Sequence, residues 1–574
     1  MKNKIFNIIT LFSLVIFLNI ITEYTNIQID LTEDNLYSIS KETKDILNEL
    51  DDRIFIKVYL EGDFPAEFKY LQKSTYDFLK RLKEIQPLLI DFEFINPNEN
   101  SNEQTKLDLF KQLVSQGLAP TDIEIRKLES STNQIIFPGA IMYYKDKSIA
   151  VNFLKNQIFS NSPSENIKSS IENIEFEFMS AILHLRRNSL DNIAFLEGNG
   201  QLLEEEVFDI TESVLGDNLR LSYYFNVNRF NLKELPIDTN TLEIDIAKQI
   251  ERMKKYQAII IAKPTIPFNN IDKFLIDQYI MNGGKVLWLI DGVNASMDSL
   301  LKQTSFVTNK NELNLDDQLF KYGVRINADL VEDLRCTQIP IVTGYSNNIP
   351  QQRFFPWPYF PLVLSNSSHS ISKGLDGIKC EFVSSIDLIN NSIKKTVLLS
   401  SSSESRLLPA PAKVSLGILE NPPDLKSFNK PNQNIAVLLE GEFESVFKNR
   451  ILPKNQKIKF KEDSKENKMI IVSDGDLIAN KVSDKGIKFP LAYDKYIEYV
   501  YPGNKYFLLN AIQYLCNNRD ITSLKTKSIK LRMLDKKKIS TYRPIIQFIN
   551  IILPLLFLIL FSIFYYFQQK KKYA

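Results

Sequence analysis

The chain has 574 residues, with 70 lysines and arginines against 69 aspartates and glutamates, so its net charge is +1. A chain this long exceeds one hydrophobic core and divides into about three or four units. So balanced a charge leaves no global field to draw in nucleic acid, and three scattered cysteines, Cys336, Cys380 and Cys516, with no Cys-x-x-Cys pair, form no disulfide framework.

The chain opens on Ile5 to Ile21, IFNIITLFSLVIFLNII, with Lys2 and Lys4 before it and no small-residue cleavage site after it. A run of this length and polarity reads as an uncleaved transmembrane signal anchor over 1–25. At the other end Ile545 to Phe567 reads as a second transmembrane helix, with Tyr565 and Tyr566 as interfacial aromatics and Pro554 as a tolerated kink. A basic juxtamembrane linker (526–544) precedes it and a cytoplasmic tail (568–574) follows. Lysines at both ends put both termini inside and the bulk outside. Lys536, Lys537, Lys538 and Arg543 carry the alternative, a cytosolic body with both termini outside.

Residues 26–190 form the first expected domain. Its opening phrase, DLTEDNLYSISKET (Asp30 to Thr43), is a turn leading to a helix, with Ser40 as its cap, Glu42 at its positive end, and Ile46, Leu47 and Leu50 on one apolar face. Leu31 and Leu36 are expected to pack back onto the body. RIFIKVYL, a helix through Leu71, Phe78 and Leu82, and LLIDFEFI give strand, helix, strand. A helix through Phe110 and Leu113 follows, then the strands DIEIRKL, IIFPGAIMYYK and SIAVNFL, and a long helix from Ile167 to Arg187. This is the element order of a thioredoxin-like domain, without the cysteine pair that disulfide chemistry needs.

From 191 to 525 the pattern changes. NIAFLEGNG, LRLSYYFNV, YQAIIIAKP and GGKVLWLIDG alternate with helices, and IAVLLEGEF and KMIIVSDGDLI return later. Buried strands alternating with helices predict an open, mostly parallel α/β sheet. Ligands bind such sheets beyond the carboxyl ends of the strands, which marks the loops EGNG, KPTIPF and IDG, and with them Glu197, Asn199, Asp291, Asp474 and Asp476. EGNG is no G-x-G-x-x-G, and Gly283-Gly284-Lys285 lacks the rest of a phosphate-binding loop. A proline-rich insertion, IPQQRFFPWPYFPLVL, gathers Phe354, Phe355, Trp357, Tyr359 and Phe360, which form either a docking surface or a loop packed down on the sheet.

Catalytic patterns are sparse. His184 lies in a helix and His369 in SNSSHS, so no serine–histidine–aspartate triad is legible, and no cluster has metal-ligand spacing. DGD (Asp474 to Asp476) reads first as a strand-end turn, and Glu197 as a turn glutamate with general acid or base work as its alternative. No cofactor is expected.

Six phrases carry a resemblance: DLTEDNLYSIS, YGVRINADLVEDLRC, LLPAPAKVSLGIL, LLEGEFESVFKNR, VSDGDLIANKV and GNKYFLLNAIQYL. They resemble the gliding-motility-associated ABC transporter auxiliary proteins of Bacteroidota (the GldG family) and the wider ABC-transporter auxiliary family. The resemblance implies an inner-membrane protein with its bulk in the periplasm, working with a separate ABC permease and a separate ABC ATPase in the lipid bilayer. It also implies an amidotransferase-like second domain without the glutaminase nucleophile, since EGNG and IDG hold no cysteine. The expected fold is therefore α/β, a thioredoxin-like domain followed by an amidotransferase-like domain, flanked by two transmembrane helices. The expected function is non-catalytic, with a membrane-tethered hydrolase using Glu197 and Asp474, or a purely structural subunit, as the alternatives.

Overall fold

The computed structural model describes residues 39–516 apart from 100–101, 128–129, 155–162, 187–189, 215–218, 238–243, 347–348, 365–368, 374 and 454–458, together with helical positions at 554, 558–563 and 565–566. The chain divides into two compact units, Met1–Lys527 and Ser528–Ala574.

The first described helix, Lys41–Asn48, starts at Ser40, whose hydroxyl accepts the Thr43 N–H at 3.1 Å. Glu175, from the long helix Pro163–Arg186, accepts from the Ser40 N–H (2.9 Å), the Ser40 hydroxyl (2.7 Å) and the Thr43 hydroxyl (2.7 Å). A cap satisfies helix-end donors that would otherwise lack partners, and here it also ties the start of the body to its centre. Ile46 and Leu47 are buried, as the spacing predicts.

Strands β1 (Ile54–Val58) and β2 (Ile90–Phe94) pair in parallel around the helix Ala66–Ile85. A separate hairpin, β3 (Thr121–Lys127) with β4 (Ser130–Ile136), precedes β5 (Gly139–Tyr144) and β6 (Lys147–Asn152). The sheet runs β2-β1-β5-β6, with β5 antiparallel to β1. The phrase IIFPGAIMYYK is thus two strands and not one: Pro138 lacks the N–H that a ladder needs, and the chain breaks there. Leu71, Leu79, Phe178 and Ile182 fill the space between this sheet and its two long helices.

The second sheet has seven strands, and its first four are β7 (Asp191–Glu197), β8 (Phe225–Asn231), β9 (Ala258–Ala262) and β10 (Lys285–Leu289). An insertion of short antiparallel pairs follows. It joins β11 (Ser305–Thr308) to β20 (Ala412–Ser415), β12 (Val324–Ile326) to β17 (Ile386–Leu388), and β13 (Asp329–Asp333) to β19 (Ser405–Pro409). It also contains a long ribbon of β14 (Cys336–Ser346) and β15 (Ile349–Val363), with β16 (Ile378–Lys379) at its base. Then β18 (Lys394–Ser400), β21 (Asn434–Glu444) and β22 (Asp463–Val472) complete the sheet in the order β18-β21-β22-β10-β9-β7-β8.

Strands β22, β10, β9, β7 and β8 are parallel, and β21 is antiparallel to β22. Every residue of β9 (AIIIA) is buried, because helices cover both faces of the sheet. Ile260 and Leu287 meet Leu508 and Ile512 of the helix Pro502–Cys516 on one face. Ile259, Ile261 and Trp288 meet Phe274 of the helix Asn270–Met281 on the other.

The expected fold class needs a correction. What is observed is a mixed α/β architecture of several sheets, and among the described residues no helix is long and apolar enough to cross a membrane. The two expected transmembrane helices are therefore not found among the described residues. Hydropathy alone drew them: Ile5 to Ile21 lies outside the described residues, as do Leu31 and Leu36, and only part of 545–567 is described, as exposed helical positions.

Candidate functional site at the strand ends

Because β9, β10 and β22 are adjacent and parallel, their carboxyl ends bring three loops together. Lys263 follows β9, Asp291 follows β10, and Asp474-Gly475-Asp476 follows β22. The Lys263 ammonium contacts Asp476 and lies 3.7 Å from Asp291. The Gly475 N–H donates to Asp291 at 2.5 Å, and the N–H groups of Asp476 (2.8 Å) and Leu477 (3.1 Å) donate to Asp474 Oδ1. Two residues beyond β16, the Glu381 N–H donates to Asp474 Oδ2 at 2.9 Å. Glu381 in turn pairs with Lys379 at 3.0 Å and Lys481 at 3.3 Å.

Gly475 is required here by close approach. A Cβ on it would lie 2.7 Å from Lys263 Cγ and 3.0 Å from Asp291 Oδ1. Lys263 itself sits at φ +50°, a left-handed conformation that costs a non-glycine residue about 1–3 kcal/mol. The surrounding ion pairs hold it in that conformation.

Burial pushes all three aspartates up, Asp474 well above the usual carboxylate range and Asp476 to about 7, with the like charges of the others adding to the effect on Asp474 and Asp476. Burial opposes the charge on Lys263 as well, but Asp476 and Asp291 outweigh it and raise the ammonium. For Glu381 burial is again opposed, here by Lys379 and Lys481, which bring it down to about 2.

The carboxylate oxygens of Asp291, Asp474 and Asp476 lie within 4.8 Å of one another, a spacing that could hold a metal ion. The positive charge among them comes from the chain's own lysine. The arrangement joins three strand ends and the base of the ribbon through the Lys263 ion pairs and backbone N–H bonds to the aspartates.

Of the residues marked from sequence, Asp291, Asp474 and Asp476 do meet. Glu197 does not join them: it closes β7 and pairs with Arg229 of β8 at 2.5 Å. Asn199 is fully buried, its amide donating to the Pro267 carbonyl at 3.1 Å, and its backbone carbonyl accepts from Thr265 and Ile266, both at 3.0 Å. A Cβ on Gly200, at φ +69°, would lie 2.2 Å from the Thr265 hydroxyl. EGNG is thus a tight turn docked on the β9 loop.

The aromatic cluster divides. Trp357, Tyr359 and Phe360 are buried at the ribbon's base with Phe382 and Leu330, Phe355 is half-buried, and Phe354 is exposed. Lys263, Glu381, Lys379 and Lys481 are the members of this cluster that the sequence reading did not single out. KPTIPF placed Lys263 in a marked loop, but nothing near Glu381 announced its partners.

A separate cavity of about 760 Å³ opens between the 310–328 and 445–450 segments. Its cations are matched by nearby carboxylates: Lys310 with Asp316, Arg450 with Asp317, Lys321 with Glu444, and Arg325 with Asp387.

This strand-end sheet lies within the part of the chain that a protein-family model covers. The model described as "ABC-type uncharacterized transport system" matches residues 191–511, more than half of the chain, and the chain belongs to that family of transport-system auxiliary components. A model of a domain of unknown function matches residues 33–143. A protein of Borreliella burgdorferi (strain ATCC 35210 / DSM 4680 / CIP 102532 / B31), described as an uncharacterized protein, is 21% identical over 448 residues, covering 75% of this chain and 76% of its own. Among solved structures, the mmIFT52 N-terminal domain aligns over 57% of this chain and 98% of its own at 12% identity, with a TM-score of 0.31, too low to define a shared architecture.

Proposed function

We propose that this protein is a non-catalytic subunit of an ABC-type transport system, acting through its folded body on a separate permease and a separate ATPase. The observation that carries this reading is the state of the strand ends. In a fold of this kind the loop end of the parallel strands is where chemistry is placed, yet Asp291, Asp474 and Asp476 are each held by the chain's own N–H groups or lysine. Glu197, the other candidate acid or base, is committed to Arg229. These groups fix loops in place. The family membership supplies the transport context.

The narrower assignment, to the gliding-motility branch, rests on the six phrases that resemble it, including VSDGDLIANKV, which contains the strand-end turn. A deletion strain that spreads on agar like its parent would remove that assignment and leave the transport role standing.

The decisive experiment is co-expression of the full chain with candidate ABC permease and ATPase subunits from the same source, followed by purification on a tag. Both subunits are expected to come with the wild-type protein and with Glu197→Gln. Recovery of the chain alone would overturn the reading.

A further inference from the structure

The ribbon β14–β15 has two chemically different faces, and its register shows which residues share them. Residues directly opposed in an antiparallel pair lie on one face. Ile339 opposes Phe355 and Ile341 opposes Arg353, whereas Pro340 opposes Phe354 and Val342 opposes Gln352. Ile339 is buried and Ile341 packs against the same satellite core, so the first face looks inward.

Beyond Val342 the register shifts, and the pairing resumes with Gly344 opposite Gln351 and Tyr345 opposite Pro350. The residue left over, Thr343, makes a bulge that turns Tyr345 onto the outward face, where strict alternation would have put it on the inner one. The outward face thus collects Pro340, Val342, Tyr345, Pro350 and Phe354, with the uncharged Gln352 among them and Gln338 opposite Pro356 nearer the base. Val342 is 45% exposed, Tyr345 74% and Phe354 43%.

We infer that this outward face is a docking surface for an uncharged, apolar surface on another protein subunit of the transport system, an inference that rests on the function proposed above. Three observations select that occupant. From Cys336 to Leu364 the only charged residue is Arg353, on the inward face, so nothing on the outward face would steer or pair with a charged partner. Pro340, Pro350 and Pro356 remove donors that a partner strand would need, so contact is through side chains and not by strand addition. A two-stranded ribbon with open edges keeps unpaired carbonyls, which a hydrocarbon interior does not tolerate, so a lipid core is the wrong medium. The buried base, with Trp357 fully covered, holds the face in place before any partner arrives.

The test uses the full chain co-expressed with the same candidate permease and ATPase subunits. The triple variant Val342→Ser/Tyr345→Ser/Phe354→Ser is expected to lower recovery of the subunits roughly tenfold or more. Arg353→Ser, on the other face, should leave recovery unchanged, and wild-type recovery should persist in about 1 M salt, which screens charged contacts. The urea midpoint of the triple variant, read by tryptophan fluorescence, confirms that it is folded. Undiminished recovery with the folded triple variant overturns the docking face alone. Failure of the wild-type chain to bring down either subunit overturns the proposed function and this inference with it. A blue shift of Tyr345→Trp emission on phosphatidylcholine/phosphatidylglycerol vesicles would make the occupant lipid. Self-association lost in the triple variant would make it a second copy. Either result also overturns the inference.

Discussion

At the ends of β9, β10 and β22 the chain gathers Asp291, Asp474, Asp476 and Glu381 around Lys263, Lys379 and Lys481, and uses their charges on one another. A short distance along the sequence, the ribbon β14–β15 carries a single charge and leaves Val342, Tyr345 and Phe354 in water. In the first region the charged groups, of which Asp474 and Asp476 read from sequence first as a strand-end turn, are hydrogen-bonded or ion-paired within the chain. The apolar residues of the second read from sequence as either a docking surface or a packed loop, and the structure divides them, with the base packed and Phe354 exposed. Whether a side chain is already satisfied by the chain itself, more than its chemical type, separates a structural group from one left to meet a partner.

The largest expected effect tests the packed half of the ribbon. Trp357→Ala empties a fully buried site and should cost about 3–5 kcal/mol, read as a lower urea midpoint. An unchanged midpoint would mean that the base is not the anchor described.

Lys263→Met attacks the charged region next. It leaves Asp291 and Asp476 facing each other without their cation, at a cost of about 3 kcal/mol near pH 8, the low end for a broken buried pair because the site is partly open. That cost should shrink as acid protonates the carboxylates.

The wild-type pH profile follows from the same groups. Asp476 is raised from 3.8 to about 7, so the native state holds its proton more tightly than the unfolded chain. Its contribution is complete below about pH 4 and is lost as pH rises through 7. Glu381 is lowered from 4.5 to about 2, so its contribution is complete above about pH 4.5 and is lost as pH falls through 2. Urea titrations across this range should show a maximum between the two limbs, and Asp476→Asn should flatten the upper one.

Gly475→Ala should cost about 1–3 kcal/mol, because the added methyl must displace Lys263 or Asp291. At the small end, Tyr345→Ser should change stability by no more than about 0.5 kcal/mol, since the ring is mostly in solvent. A large loss of stability there would mean that the outward face is packed after all, and the contrast between the two regions would fail.

Much of the scaffold was legible because it is written locally. Ser40 followed by Glu42 and an apolar face marks a helix start wherever it occurs. Continuous runs such as AIIIA and KVLWL are what strands covered on both faces need, and both lie in the seven-stranded sheet. The strand-end rule singled out Asp291, Asp474 and Asp476, which do converge, and also Glu197, which lies two strands away from β10 and is paired off. Pro138, inside a phrase that read as one strand, marked the break between β4 and β5. For the apolar runs near the termini the expectation rested on polarity and length alone, and among the described residues no helix is long and apolar enough to cross a membrane.

By itself, then, the sequence determined the main strands and helices of the two larger sheets, which strands are buried on both faces, and which loops lie at their carboxyl ends, but not the paired strands of the insertion. Periodicity, capping residues and proline positions act over a few residues and can be read in any context. Only the tertiary structure decided that Lys263 neutralises Asp476, 213 residues further along the chain, and that one bulge turns Tyr345 outward beside Val342 and Phe354. Those outcomes depend on strand order and ladder register, which bring together residues that no local pattern relates.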